Sequence, residues 1–102
     1  MSNPNWLPPS IALKDLETFL TRYDINSVTD RAHDEVLNAL DILQIGLQSV
    51  RQAQEPLSNV QSHARRMQLA IGNGELENAN GERKAALAAC ASLQEVVDIV
   101  AE

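Results

Sequence analysis

Several residue types are scarce in this chain of 102 residues, and each scarcity excludes a class of protein. The single cysteine, Cys90, cannot form an internal disulfide, so no disulfide framework supports the fold. One tryptophan, one phenylalanine and one tyrosine make up the aromatic residues, so most of the core must be aliphatic. No apolar run approaches the ~18 residues that a membrane-spanning helix needs. We therefore expect no membrane association.

Clustered positive charge is also missing. The chain carries 8 Lys and Arg against 14 Asp and Glu, a net charge of −6, and the acidic residues are spread along it. Its densest basic clusters are the pairs Arg65-Arg66 and Arg83-Lys84. Binding to a nucleic-acid backbone requires larger groups of Lys and Arg on one surface. We therefore expect no direct contact with nucleic acid.

The N-terminal residues lack the features of a secretory signal, a positively charged segment followed by an apolar run. This predicts a cytoplasmic protein, although export without a cleavable signal stays open. Three prolines within residues 1–9 oppose helix formation, so we expect an extended arm there and a single helical-bundle domain over residues 10–102. Trp6 and Leu7 give the arm a large apolar pair, which we expect to dock on a protein surface.

The strongest positive signal is an apolar repeat of seven residues. It holds at six successive positions: Val36, Leu43, Val50, Leu57, Ala64 and Ile71. The positions midway between them are also small or apolar: Ala39, Gly46, Ala53, Val60 and Met67. Such spacing places one apolar stripe along a helix. The sequence therefore predicts an all-α fold, a small bundle of three or four helices with a long central helix.

Helix boundaries follow from capping residues and proline. Ser10 is a suitable N-cap for a first helix over residues 11–23. The central helix is predicted from Asp30 to Gln54, and Pro56 must kink or break it. Because the seven-residue phase passes through Pro56 without a skip, we favour a kinked rod that continues to Ile71. Two separate antiparallel helices are the alternative.

Two glycine-containing turns shape the C-terminal half. The segment Ile71-Gly72-Asn73-Gly74 is a strong helix stop signal. Asn80-Gly81 predicts a second break, so the last helix should run from Glu82 to Ala101. Its small residues over 85–91 predict close packing, either against the Gly46/Ala53 edge of the central helix or against a second subunit.

Two histidines could carry chemistry, and each has a simpler interpretation. His63 precedes Arg65-Arg66, which could hold the charge of a phosphoryl group on the histidine, but no helix N-terminus or glycine loop lies beside it. We interpret this segment as an exposed helix face. Asp30, His33 and Asp34 have metal-ligand spacing, yet di-metal bundles need a second acidic-x-x-His pair, which the chain lacks. We interpret them as charges that stabilise a helix start.

The cysteine completes the search for reactive groups. Cys90 lies on the apolar stripe of the last helix, where a free cysteine acts as a small hydrophobic residue. The sequence has no phosphate-binding glycine loop, serine nucleophile turn or zinc-ligand spacing. We therefore expect no enzymatic activity and no cofactor or metal.

Contact with other proteins is the function that remains. Beside the seven-residue stripe, further apolar residues widen the apolar surface of the central helix. We predict a helical adaptor, chaperone or structural subunit that binds a protein partner and forms a homodimer. The candidate contact residues are Trp6, Leu7, Leu37, Leu40, Ile45, Leu47, Ala53 and Ala89. The alternative is that these residues belong to the internal core.

An acidic inhibitor of the phage or immunity type is the alternative function. In that case exposed carboxylates would block a nucleic-acid-binding enzyme or another target with a basic surface. The candidate carboxylates are Asp34, Asp41, Glu75 and Glu77.

Overall fold

The fold is a bundle of four α-helices. A computed structural model of the protein describes residues 8–27 and 30–100. Its α-helices are Pro9–Arg22 (α1), Asp30–Gly46 (α2), Gln54–Gly72 (α3) and Leu76–Val100 (α4), with short 3-10 turns at Ile25–Ser27 and Arg51–Ala53. The described ranges contain no strand, and the predicted all-α bundle is confirmed.

Neighbouring helices run antiparallel. Pro9 at the start of α1 lies against Gly46 at the end of α2, and Tyr23 after α1 is bonded to His33 near the start of α2, so the two helices run in opposite directions. A tight turn joins α3 to α4, and α1 packs along α4. The most extensive pair is α3–α4, and α2 contacts mainly α1. Among helices that are neighbours in the bundle, α2 and α3 share the least extensive contact.

The core is almost entirely aliphatic, as the scarcity of aromatic residues requires. No polar or charged side chain is buried among the described residues. The largest fully buried side chains come from all four helices: Leu13, Leu16, Leu20, Val36, Leu43, Leu47, Val60, Met67, Cys90, Leu93 and Val97. Of the six repeat positions, Val50 and Ile71 are partly buried and the other four are fully buried. The seven-residue repeat therefore marks the inner face of the bundle.

The first helix begins earlier than its sequence indicates. Pro9 is the first helical residue and Pro8 is the N-cap, with no side-chain cap. The carbonyl of Pro8 accepts from the amides of Ile11 and Ala12, both at 3.0 Å. The predicted Ser10 cap is wrong, because Ser10 lies inside the helix: Pro9 has a helical φ already, and its missing amide would have been unpaired at the first helical position.

The central helix is interrupted before Pro56. The helix α2 ends at Gly46, and α3 starts at Gln54, so Pro56 lies in a first helical turn, where its missing donor has no partner to lose. The Gln54 side-chain amide donates to the carbonyls of Leu47 and Val50, at 2.7 and 3.0 Å, and so holds the intervening turn.

The interruption reverses the chain. The side-chain amide of Gln61 donates to Gln44 Oε1 at 3.1 Å. Seventeen residues separate the two, which in one continuous helix would place them about 25 Å apart. The favoured rod to Ile71 is therefore wrong, and the alternative of two helices is correct. The repeat keeps its phase because both helices turn the same stripe toward one core.

Glycine ends α3 as predicted but does not interrupt α4. Gly74 has φ 77°, its amide donates to Ile71 O, and the Glu75 amide donates to Ala70 O at 2.8 Å. These bonds form a Schellman motif. The second predicted break is wrong, because α4 continues through Gly81. Burial of Ala79 against the core holds this segment in the helix.

Candidate functional site

Half of the predicted contact residues are packed within the chain. Leu40, Leu47 and Ala53 are fully buried, and Ala89 is partly buried against the same core. Ala53 lies in the 3-10 turn before α3, which packs on α4, whereas the neighbour of Gly46 is Pro9 of α1 rather than α4. None of these four side chains is free for a partner while the bundle is folded.

The arm and the outer face of α2 account for the other predicted residues. Trp6 and Leu7 lie outside the described residues. Leu37 and Ile45 are 43% and 48% exposed, and Asp41, midway between them, is exposed as well. We call Leu37, Asp41 and Ile45 the α2 stripe.

Helix geometry explains why the stripe faces outward. Residues at a spacing of 4 lie almost on one line along a helix, and the stripe spans about 12 Å. The inner face of α2 is formed by Val36, Leu40, Leu43 and Leu47. At 100° per residue, Leu37 lies about 100° and Ile45 about 180° from the centre of that inner face. The stripe therefore remains uncovered by α1, α3 and α4.

The surroundings of the stripe are acidic. Asp34 is exposed about one turn before Leu37. Arg31 approaches Glu35 at 3.6 Å, but both side chains are solvated, so this pair contributes little to stability. The surface thus presents two aliphatic side chains separated by a carboxylate, with a second carboxylate at one end.

His63 joins two helices. Its Nδ1 lies 2.7 Å from Glu82 Oε1 of α4, and both side chains are partly buried. The expected exposed helix face is thus wrong for His63, although Arg65 and Arg66 are exposed. The Glu82 carboxylate engages Nδ1, so a phosphoryl group could be accepted only at the other ring nitrogen, Nε2. No local sequence pattern indicates this pairing, because Glu82 lies 19 residues away.

His33 pairs with the end of α1. Its Nδ1 forms a hydrogen bond with the Tyr23 hydroxyl, and the two ring centroids lie 5.7 Å apart. Burial raises the pKa of Tyr23 to about 12, so the hydroxyl stays protonated and can donate to neutral His33. Within the described residues no three His, Cys, Asp or Glu side chains are arranged to hold a metal ion. Asp34 is exposed, and the Asp30 side chain is outside the description.

Cys90 is a core residue, as its position on the apolar stripe of the last helix indicated. The thiol is fully buried. Burial, followed by the Glu17 carboxylate, raises the pKa of Cys90 to about 12. Because the thiolate is the reactive form, this surrounding suppresses nucleophilic chemistry at the sulfur.

The carboxylates of the inhibitor hypothesis lie on two separate elements. Asp34 and Asp41 are exposed on α2, whereas Glu75 and Glu77 are exposed at the start of α4. The latter two border a groove between α3 and α4 that also contains the exposed Leu69.

Two further findings concern membrane spans and similarity to known proteins. In the part of the chain that the structure describes, no helix is both long and apolar enough to cross a membrane. Comparisons with protein-family models, with curated proteins and with solved structures give no match. The exposed side chains of the bundle are therefore the evidence on its function.

Proposed function

We propose that this protein is a non-enzymatic protein-binding module whose α2 stripe binds a basic amphipathic helix of another protein. The observation that carries the proposal is the exposure of Leu37 and Ile45 on one face of α2, with Asp41 between them. Single exposed aliphatic residues are ordinary. Two of them two helical turns apart and about 80° around the helix, with one charge between them, give an apolar face that a second helix can contact.

Charge favours a basic partner over a second copy. A Lys or Arg placed between two apolar residues of the partner would pair with Asp41 while the apolar residues contact Leu37 and Ile45. In a symmetric antiparallel dimer through the same stripe, the two Asp41 side chains would face each other. The net charge of −6 adds to this repulsion. The homodimer expected from the sequence is thus the less favourable occupant of this surface.

The groups that could perform catalysis are engaged elsewhere. Nδ1 of His33 is bonded to Tyr23, Nδ1 of His63 is bonded to Glu82, and Cys90 is buried with a raised pKa. These contacts support a binding role rather than a catalytic one.

A peptide titration tests the proposal. The probe is a synthetic amphipathic helix with Leu on one face and Lys beside it, added to the isotope-labelled protein and followed by amide chemical shifts. We expect the shifts to centre on residues 34–45. Replacing both Leu37 and Ile45 by Ser should weaken binding by roughly 30-fold, since each half-exposed side chain buries area worth about 1 kcal/mol. Ile99→Ser is the matched control, because Ile99 is 75% exposed on α4.

Three results would contradict the proposal. Shifts outside α2, or equal loss of affinity in the control, would mean unspecific binding. A complex that disappears at high salt and depends only on Asp34 and Asp41 would favour the acidic-inhibitor hypothesis, since exposed charge pairs are screened. A dimer mass by light scattering that becomes a monomer on replacement of Leu37 and Ile45 would assign the stripe to self-association.

A further inference from the structure

We infer that the groove between α1 and α2 binds the N-terminal arm of the same chain, with the Trp6 side chain as its occupant. The groove has a volume of about 210 Å³. Ala12 and Ala39, both buried, form its floor, and the partly buried Phe19 and Ile42 form its walls. Because the floor consists of alanine, a depression remains between the two helices.

The described chain begins at Pro8, one helical turn before Ala12 at one end of this groove. The ring of Pro9 lies against Gly46, so close that a Cβ on Gly46 would be 3.2 Å from Pro9 Cγ. The start of α1 is therefore pressed against the end of α2. The groove begins about one helical turn further along both helices, at Ala12 and Ile42, and is lined as far as Phe19 and Glu35.

The spacing of the arm residues suits the groove. Leu7 precedes the Pro8 N-cap, and Ala12 is the fourth helical residue. These are the two positions that contact each other in a hydrophobic staple, which directs the incoming chain onto the first helical turn. Two residues span about 7 Å, and Ala12 lies about 6 Å along the helix from Pro8. The indole of Trp6 can thus reach the Ala12–Ile42 end of the groove.

The chemistry of the groove fits an indole. A tryptophan side chain buries roughly 150–250 Å² and usually needs an acceptor for its N–H group. The apolar walls supply the contact area. Asn38 lies one helical turn from Ile42 in the same groove and carries a side-chain oxygen that can accept the indole proton. This inference does not depend on the proposed partner helix, which contacts the outer stripe.

The single tryptophan makes the test specific, because every indole signal comes from Trp6. In the full-length protein we expect blue-shifted emission, weak quenching by acrylamide, and nuclear Overhauser effects between the indole ring and the Ile42 methyl groups. Ile42→Ser should shift the emission to the red and raise the quenching constant several-fold. Leu37→Ser, on the same helix but outside the groove, should change neither.

A second variant covers the case in which Ile42→Ser loosens the fold. Asn38→Arg places a bulky charge in the groove from an exposed position and should expose Trp6 to quencher while the helical circular dichroism stays unchanged. A water-like emission in the unmodified protein, or emission insensitive to both groove variants, overturns the inference. Indole contacts that occur only between isotope-labelled and unlabelled copies also overturn it, because the arm would then belong to a second molecule.

Discussion

Alanine should have opposite effects at two glycines close together in the sequence, Gly74 and Gly81. Gly81 lies inside α4, and a Cβ built on it would contact nothing within 4 Å. Alanine there should stabilise the protein by about 0.5–1 kcal/mol, because it lowers the backbone entropy lost on folding. Gly74 has φ 77°, where alanine should cost about 1–2 kcal/mol through the clash of its Cβ with the backbone.

Denaturant and thermal unfolding, followed by circular dichroism at 222 nm as the conventional helix signal, measure both effects. For a domain of this size 1 kcal/mol corresponds to a shift of about 4–8 °C in Tm. Gly81→Ala should therefore raise Tm by about 2–8 °C, and Gly74→Ala should lower it by about 4–16 °C. Gly72→Ala is the matched control for Gly74→Ala, since Gly72 has neither a crowded Cβ position nor a positive φ and alanine there should not destabilise the protein.

The sign at Gly81 decides between the structure and the local sequence signal. A destabilised Gly81→Ala protein with an unchanged denaturant slope would mean that Gly81 has a conformation that alanine resists. The last helix would then begin near Glu82, and the continuous α4 would be refuted. An unchanged Tm for Gly74→Ala would likewise refute the left-handed turn that closes α3.

Four further tests address the core and the helix contacts. Burial raises the pKa of Cys90 from 9.0 and of Tyr23 from 10.0 to about 12, so the folded state retains both protons more strongly than the unfolded state. The contribution of these two groups to the free energy of unfolding should therefore be complete below pH 9 and be lost between pH 9 and 12. The loss should be smaller in Cys90→Ala and in Tyr23→Phe. Native Cys90 should react with Ellman's reagent at about one-thousandth of the rate of a free thiol at pH 8, and a rate close to that of a free thiol would contradict its burial. A double-mutant cycle on His63 and Glu82 at pH 7 should give a coupling of about 0.5–1.5 kcal/mol, and zero coupling would mean that the pair is not formed. Gln54→Ala should cost about 1–2 kcal/mol in denaturant unfolding because it removes two hydrogen bonds from the α2–α3 turn, and an unchanged midpoint would contradict them.

The seven-residue repeat predicted the core but not the path of the chain. Val36, Leu43, Leu57 and Ala64 are all buried. A stripe with constant phase, however, faces one core equally well in one long helix and in two helices joined by a reversal. The contact between Gln44 and Gln61 decides between them, and it is a tertiary contact that no local pattern encodes.

The two glycine signals show a similar limit. Gly74 and Gly81 both follow asparagine, and local propensity treats them alike. The chain ends a helix only near Gly74, where the Schellman hydrogen bonds form. Near Gly81 the burial of Ala79 outweighs a penalty of about 1 kcal/mol for glycine in a helix.

The sequence could have predicted which of the candidate contact residues near α2 are buried and which are exposed. Leu40 and Leu47 each follow a repeat position, Val36 and Leu43, by four residues, which places them on the inner face. Leu37 and Ile45 lie on other sides of the same helix. A strict use of the 3.6-residue period would have separated the buried pair from the exposed pair. The interhelical bonds of His63 and His33 would still have required the fold.

The limited contact between α2 and α3 has a consequence for local unfolding of the molecule. Helix α2 is held mainly by α1, whereas α3 and α4 form the most extensive contact of the bundle. Amide hydrogens in α2 should therefore exchange with solvent through partial unfolding, at a lower free energy than those in α3 and α4. A protein that binds the α2 stripe would slow this exchange most in the helix that it contacts. Binding at the α2 stripe and the local folding of α2 would then be thermodynamically linked.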